Sequence, residues 1–144
     1  MGAEHWENNW LVVSPPGAVR VDLPRSRGRR RELTREVREL GTGTPVVLFA
    51  SAPGAIRRCR GFAAASDLVL RDEYLAFPSA REPAYLVEDH PAPVRLFVKT
   101  ILVTPPRRAF VNPLAVALAS VRVFHPWRLI RSLAPGRVVL GRRR

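Results

Sequence analysis

One stretch restricts the possible folds more than any other: residues 45–77 read as strand, helix and strand in immediate succession. Pro45-Val46-Val47-Leu48-Phe49-Ala50-Ser51 is an apolar β run. Ala55 to Ala65 has helical spacing, with Ile56, Cys59 and Ala63 on one face and Arg57, Arg58 and Arg60 on the other. Asp67 to Phe77 is a second β run. That order is the βαβ signature of α/β sheets, which bind ligands at the carboxyl ends of their strands. The expected fold class is therefore α/β: a small twisted mixed sheet with flanking helices and a C-terminal helical cover.

The flanking segments fit the same plan. Trp10 to Val13 reads as a short strand ending in the turn Ser14-Pro15-Pro16-Gly17, and Val19 to Leu23 as a second strand or extended connector. A basic loop, Arg25 to Arg31, precedes a helix over about 30–40, with Leu33, Val37 and Leu40 on one face and Gly41 and Gly43 at its end. Ala84 to Val87 is a further strand candidate. Helical spacing returns over 94–103, 113–124 and 127–133, each bounded by proline, and Arg137 to Leu140 reads as a last strand. The 144 residues suffice for one domain, with 1–9 and 142–144 as flexible termini.

Charge and cysteine usage narrow the classes of function. The net charge is +12, and of the 24 basic residues only Lys99 is a lysine. Arginine grips phosphate and carboxylate in bidentate fashion, so anionic partners suit this surface, although a GC-rich coding sequence would also raise Arg, Ala, Val and Pro together. Cys59 is the single cysteine, so the chain forms no internal disulfide and a reducing, cytoplasmic setting is expected. The start of the chain does not read as a signal peptide, and no uninterrupted apolar run is long enough to span a bilayer.

The junction Arg60-Gly61-Phe62, a polar break, and the strand through Tyr74 resemble the approach to the sixth strand of class I S-adenosylmethionine-dependent methyltransferases. Phe77-Pro78-Ser79 followed by Pro83-Ala84-Tyr85-Leu86-Val87 is similar to a segment of members acting on sugars and natural products. Arg137-Val138-Val139-Leu140-Gly141 takes the place of their closing seventh strand, and Ser14-Pro15-Pro16-Gly17 resembles an amino-group methyltransferase motif without its aromatic residue. Over roughly 45–141 the resemblance implies the C-terminal half of that Rossmann-like fold, with its last two strands paired as an antiparallel hairpin. The glycine-rich cofactor turn is missing: Gly41-Thr42-Gly43 follows a helix, not a strand. The resemblance thus implies a truncated fold that binds no S-adenosylmethionine alone. An enzyme would need its cofactor half from another chain.

No residue pattern assigns a catalytic, cofactor or metal site. Ser51 fits a helix cap, Cys59 a packed thiol, and Glu88-Asp89-His90 a solvated turn ahead of Pro91 whose carboxylates neutralise arginines. Two sets of residues remain as interaction candidates. Arg25, Arg27, Arg29, Arg30, Arg57, Arg58 and Arg60 are the candidate anion contacts, and Phe97, Phe110, Phe124 and Trp127 the candidate partner surface. The favoured expectation is a non-catalytic accessory protein that docks a protein partner, or a second copy of itself, through its apolar C-terminal region. Beside it stand the split methyltransferase and a basic protein peripheral to an anionic membrane or bound to nucleic acid. Stacking aromatics are not interleaved with the arginines, which weighs against nucleic acid.

Overall fold

The apolar run around Phe49 becomes the strand on which the sheet is organised. In the computed structural model, which describes residues 13–98, 100 and 126–144, the chain is a mixed α/β structure. In order, the elements are β1 (Val19–Asp22), α1 (Arg27–Arg38), β2 (Pro45–Ser51), α2 (Ala55–Ala65) and β3 (Leu68–Phe77). They continue with β4 (Tyr85–Glu88), α3 (Pro91–Phe97), α4 (Pro126–Leu133) and β5 (Gly136–Arg143). The five strands lie in the order β1-β2-β5-β3-β4. Strand β1 pairs parallel with β2, and β5 pairs antiparallel with both β2 and β3. The βαβ signal is therefore split: β2 and β3 run in the same direction, but β5 lies between them.

The described residues fall into two compact units, 1–86 with 134–144, and 87–133. In the first, β2 is buried on both faces, which is why its sequence is continuously apolar rather than alternating. Val46, Leu48 and Ala50 join Val139 beneath Val37 of α1 and Ala55, Cys59, Phe62 and Ala63 of α2. Val47 and Phe49 face the other way, with Ala76, Ala80, Val138 and Leu140. The first residue of β5 is glycine because nothing larger fits: a Cβ at Gly136 would stand 2.4 Å from the Ala80 nitrogen. Arg71 is the extra residue of a bulge between Leu70 and Asp72, opposite Gly141 and Leu140.

In the second unit α3 packs against α4. Asp89, its side chain only 3% exposed, accepts a hydrogen bond from Trp127 Nε1 at 3.2 Å and pairs with Arg131 Nε at 2.8 Å. The Arg131 guanidinium also lies over the Trp127 ring, 5.1 Å from its centre. The carboxylate of the Glu88-Asp89-His90 cluster thus balances an arginine. Among the described residues no helix is long and apolar enough to cross a membrane, and no group of three His, Cys, Asp or Glu residues is placed to hold a metal ion.

Several boundaries differ from the sequence reading, each for a local reason. Helix α1 begins at Arg27, not Arg30: Gly28 falls in the first turn, where its N–H needs no intrahelical acceptor, and Arg30 reaches back to the carbonyls of Pro24 and Arg25. Arg27 and Arg29 are therefore helical rather than loop residues. Helix α2 buries Phe62 along with Cys59 and Ala63, while Ile56 is only half-buried. Helix α3 starts at Pro91, a favourable first-turn residue, three positions before Val94. Strand β5 continues through Arg142 and Arg143, which pair with Pro45 and Leu68. Val13 sits in a turn. The rest of the Trp10 strand, the helix over 113–124, most of the expected helical cover, Phe110 and Phe124 lie outside the described residues.

Candidate anion-binding groove

Two helix starts meet at the carboxyl end of the parallel strands β1 and β2. Arg25, in the loop entering α1, donates from Nη2 to the carbonyl of Ala52, in the loop entering α2. Arg58 donates to the carbonyls of Ser51 and Pro53 in that same loop. These bonds stitch the two loops together and set the first turns of α1 and α2 side by side. Neither helix has an acidic residue in its first turn, and neither Ser26 nor Gly54 caps its helix through a side chain. Both N-termini therefore carry positive helix-dipole charge with arginine added to it, an arrangement that opposes folding unless an anion offsets it.

The helices flank a cavity of about 410 Å3 lined by Arg27, Arg30, Arg31, Arg57, Arg58 and the residues beyond them on each helix. On α1 the lining residues Arg27, Arg30, Arg31 and Thr34 follow i, i+3, i+4, i+7 spacing, so they form one stripe. No carboxylate lines this cavity among the described residues. Arg27, Arg31 and Arg57 have no hydrogen-bond or ion-pair partner there either, so their guanidinium groups are free for a ligand. Arg30 spends Nη1, and Arg58 both Nη atoms, on loop carbonyls, and the Nε of Arg58 is buried without a partner. Burial, followed by the charges of Arg25 and Arg30, lowers the Arg58 pKa from the ordinary guanidinium value.

The other sequence candidates separate from this site. Arg29 lines a second cavity, of about 440 Å3, where Asp22, Glu32 and Glu36 balance it and Arg81 pairs with Asp22 at 2.6 Å. Arg60 forms a fork on Glu73, Nε to Oε1 at 3.1 Å and Nη2 to Oε2 at 3.3 Å. Arg137, buried at the start of β5, donates to Glu73 Oε2 at 3.4 Å. Cys59 is buried, and desolvation pushes its thiol pKa up to about 12 despite nearby Arg137 and Arg58. Ser51 caps nothing; its carbonyl accepts from Arg58. Of the candidate partner surface, Phe97 is buried, and Trp127 is half-buried with its indole N–H on Asp89.

Sequence reasoning left Arg31 and Thr34 out of the anion site. The signal for both was the helical stripe that starts at Arg27, hidden while the helix was begun at Arg30. Arg137 offered no comparable signal, since an arginine opening a strand reads as an exposed end. No family model, curated protein or solved structure matches the chain.

Proposed function

We propose that this chain is a non-catalytic binding domain that holds a phosphate-bearing anion between α1 and α2. The observation that carries this reading is the set of three unpartnered guanidinium groups, Arg27, Arg31 and Arg57, around one cavity without a lining carboxylate. Three guanidinium forks around one cavity suit a phosphoryl group's oxygens, and the two uncapped helix starts add charge of the same sign. A cavity of this size suits a small ligand rather than a polymer. Calorimetry with inorganic diphosphate tests the reading. Arg57→Ala should weaken binding at least tenfold, and Arg71→Ala, which removes the same charge from the β3 bulge, should leave it within twofold. Equal losses from the two variants would mean that net charge, not this site, attracts the anion.

A second reading keeps the docking of a protein partner on α3 and α4. Leu96, Leu129 and Leu133 favour it, since the first and last of these are 63% and 60% exposed. Light scattering of the purified chain, before and after Leu133→Glu, separates a self-associating surface from one that meets a different protein. The antiparallel pairing of β3 with β5 supports the methyltransferase-like resemblance at the level of strand arrangement. A thermal shift with S-adenosylmethionine is its direct test.

A further inference from the structure

Helix α1 carries its charges sorted by side. Arg27, Arg31, Arg35 and Arg38 recur at i, i+4, i+8 and i+11, so they share one stripe that leads out of the groove along the helix. Glu32 and Glu36 lie round the helix from it and line the second cavity with Arg29. A GC-rich coding sequence raises the number of arginines but does not sort them from glutamates. The sorting also works against the helix. Arg27 and Arg31, Arg31 and Arg35, and Glu32 and Glu36 are like charges at i, i+4, where opposite charges would support it.

The fold does little to neutralise the stripe. Arg27, Arg31 and Arg35 are exposed, and their guanidinium groups have no hydrogen-bond or ion-pair partner among the described residues. Arg38 meets Asp67 at 3.8 Å, but the two side chains are 54% and 53% exposed, so this pair contributes little. At 1.5 Å rise per residue the stripe runs about 16 Å. Its first two arginines stand in the wall of the groove and its last two beyond it. The groove itself supplies an independent sign of a ligand: Arg58, also in its lining, has a buried Nε–H that meets no acceptor, a donor that a ligand oxygen would satisfy.

We propose that the ligand is a linear oligophosphate, one end seated in the groove on Arg27, Arg31 and Arg57 and the chain continuing along α1 to Arg35 and Arg38. The inference rests on the anion-binding reading and narrows it from any phosphate-bearing anion to a chain of phosphates. The cavity encloses only the end of that chain; the remainder lies on the open surface of α1. A single line of negative charge follows the stripe and stays clear of Glu32 and Glu36. Duplex nucleic acid does not fit: a helix lying in its groove has phosphates on both flanks, which brings the glutamates against one strand. A single nucleic-acid strand asks for aromatic residues on which its bases stack, and α1 has none. An oligophosphate carries charge without bases, and arginine forks alone suffice to hold it.

Calorimetry on the full chain compares inorganic diphosphate with a short-chain linear polyphosphate. Affinities are expressed per mole of phosphate, so that a longer chain gains nothing merely by offering more registers. The expected result at low salt is at least tenfold tighter binding of the polyphosphate by the wild type. The double variant Arg35→Gln, Arg38→Gln should remove that advantage and leave diphosphate within twofold, which also shows that it folds. The control pair Arg71→Gln, Arg142→Gln removes two exposed arginines from β3 and β5 and should keep the advantage. Equal affinity of the two ligands for the wild type, an advantage that survives Arg35→Gln, Arg38→Gln, or an equal loss in both double variants overturns the oligophosphate inference while the anion site stands. Failure of both ligands to bind overturns the anion site itself. Oligothymidylate is the last arm. Weaker binding than polyphosphate, per phosphate, supports the inference; binding as tight assigns the stripe to a nucleic-acid backbone and overturns it.

Discussion

Two groups of arginines flank helix α2, and they differ in what stands opposite them. At the start of the helix, Arg57 faces Arg27 and Arg31 of α1 across a cavity with no carboxylate in its lining. Further along, Arg60 and the buried Arg137 converge on one carboxylate, Glu73. Both groups consist of arginines, the first from α1 and α2 and the second from α2 and β5. The second group is gathered on a carboxylate and serves the fold. The first is unbalanced and adds repulsion at a helix dipole's positive end. Position in the sequence does not separate the two; the location of the carboxylate does.

The largest expected effect comes from removing that carboxylate. Glu73→Ala takes this carboxylate away from the Arg137 guanidinium, whose side chain is 3% exposed. Breaking a buried pair from one side costs about 3–5 kcal/mol, whereas Arg57→Ala should change stability by no more than about 0.5 kcal/mol. Urea unfolding of the two variants reads the contrast directly. Replacing both partners by methionine should recover part of the loss, because the buried charge is then removed together with its carboxylate. A Glu73→Ala variant as stable as Arg57→Ala would erase the distinction between the groups.

Cys59 sharpens the comparison from between them, with Arg58 on one side and the Arg137–Glu73 pair on the other. Its thiol pKa is raised to about 12 from 9.0, chiefly by burial, with the arginines lowering it and Glu73 raising it less. Between these values the unfolded chain loses the thiol proton and the folded chain keeps it. Stability from this group is thus complete below pH 9 and declines as pH rises, by about 1.4 kcal/mol per pH unit. Urea midpoints from pH 8 to 10.5 should fall more steeply for the wild type than for Cys59→Ala. Parallel curves would place the thiol in contact with solvent or with a stronger positive field.

Much of the scaffold was legible because its signals are local. The bounds of β2 and α2, Pro45–Ser51 and Ala55–Ala65, agree with the sequence reading: a doubly buried apolar run and a helical stripe are set by neighbouring residues, and Pro53-Gly54 separates them. The insertion of β5 between β2 and β3 was not legible in the run 45–77, since it depends on pairing with Gly136–Arg143, some sixty residues later. The site was half legible. Its arginines stand out in the sequence, but their grouping depends on where α1 begins. A start at Arg27 places Arg27, Arg30, Arg31 and Thr34 on one stripe; a start at Arg30 leaves Arg27 in the loop and cuts the stripe short. Nor does any local pattern tell that Arg60 is matched by Glu73, 13 residues away on the adjacent strand, while Arg57 is not.

The smallest effect is also the one whose sign separates function from fold. Arg27 is the first residue of α1, exposed and unpartnered, at a helix end without an acidic residue. If its charge served the fold, reversal would destabilise the chain. The helix dipole says the opposite: Arg27→Glu replaces an unfavourable charge by a favourable one and should stabilise the chain by about 0.3–1 kcal/mol at low salt. The gain should fade in high salt, where exposed charges are screened. The same substitution places a carboxylate on the rim of the groove and should weaken diphosphate binding by more than tenfold. A chain that becomes more stable as it loses its ligand is the behaviour of a residue retained for binding. If Arg27→Glu instead lowered the urea midpoint, the arginines of this cavity would belong with Arg60 and Arg137 as parts of the fold.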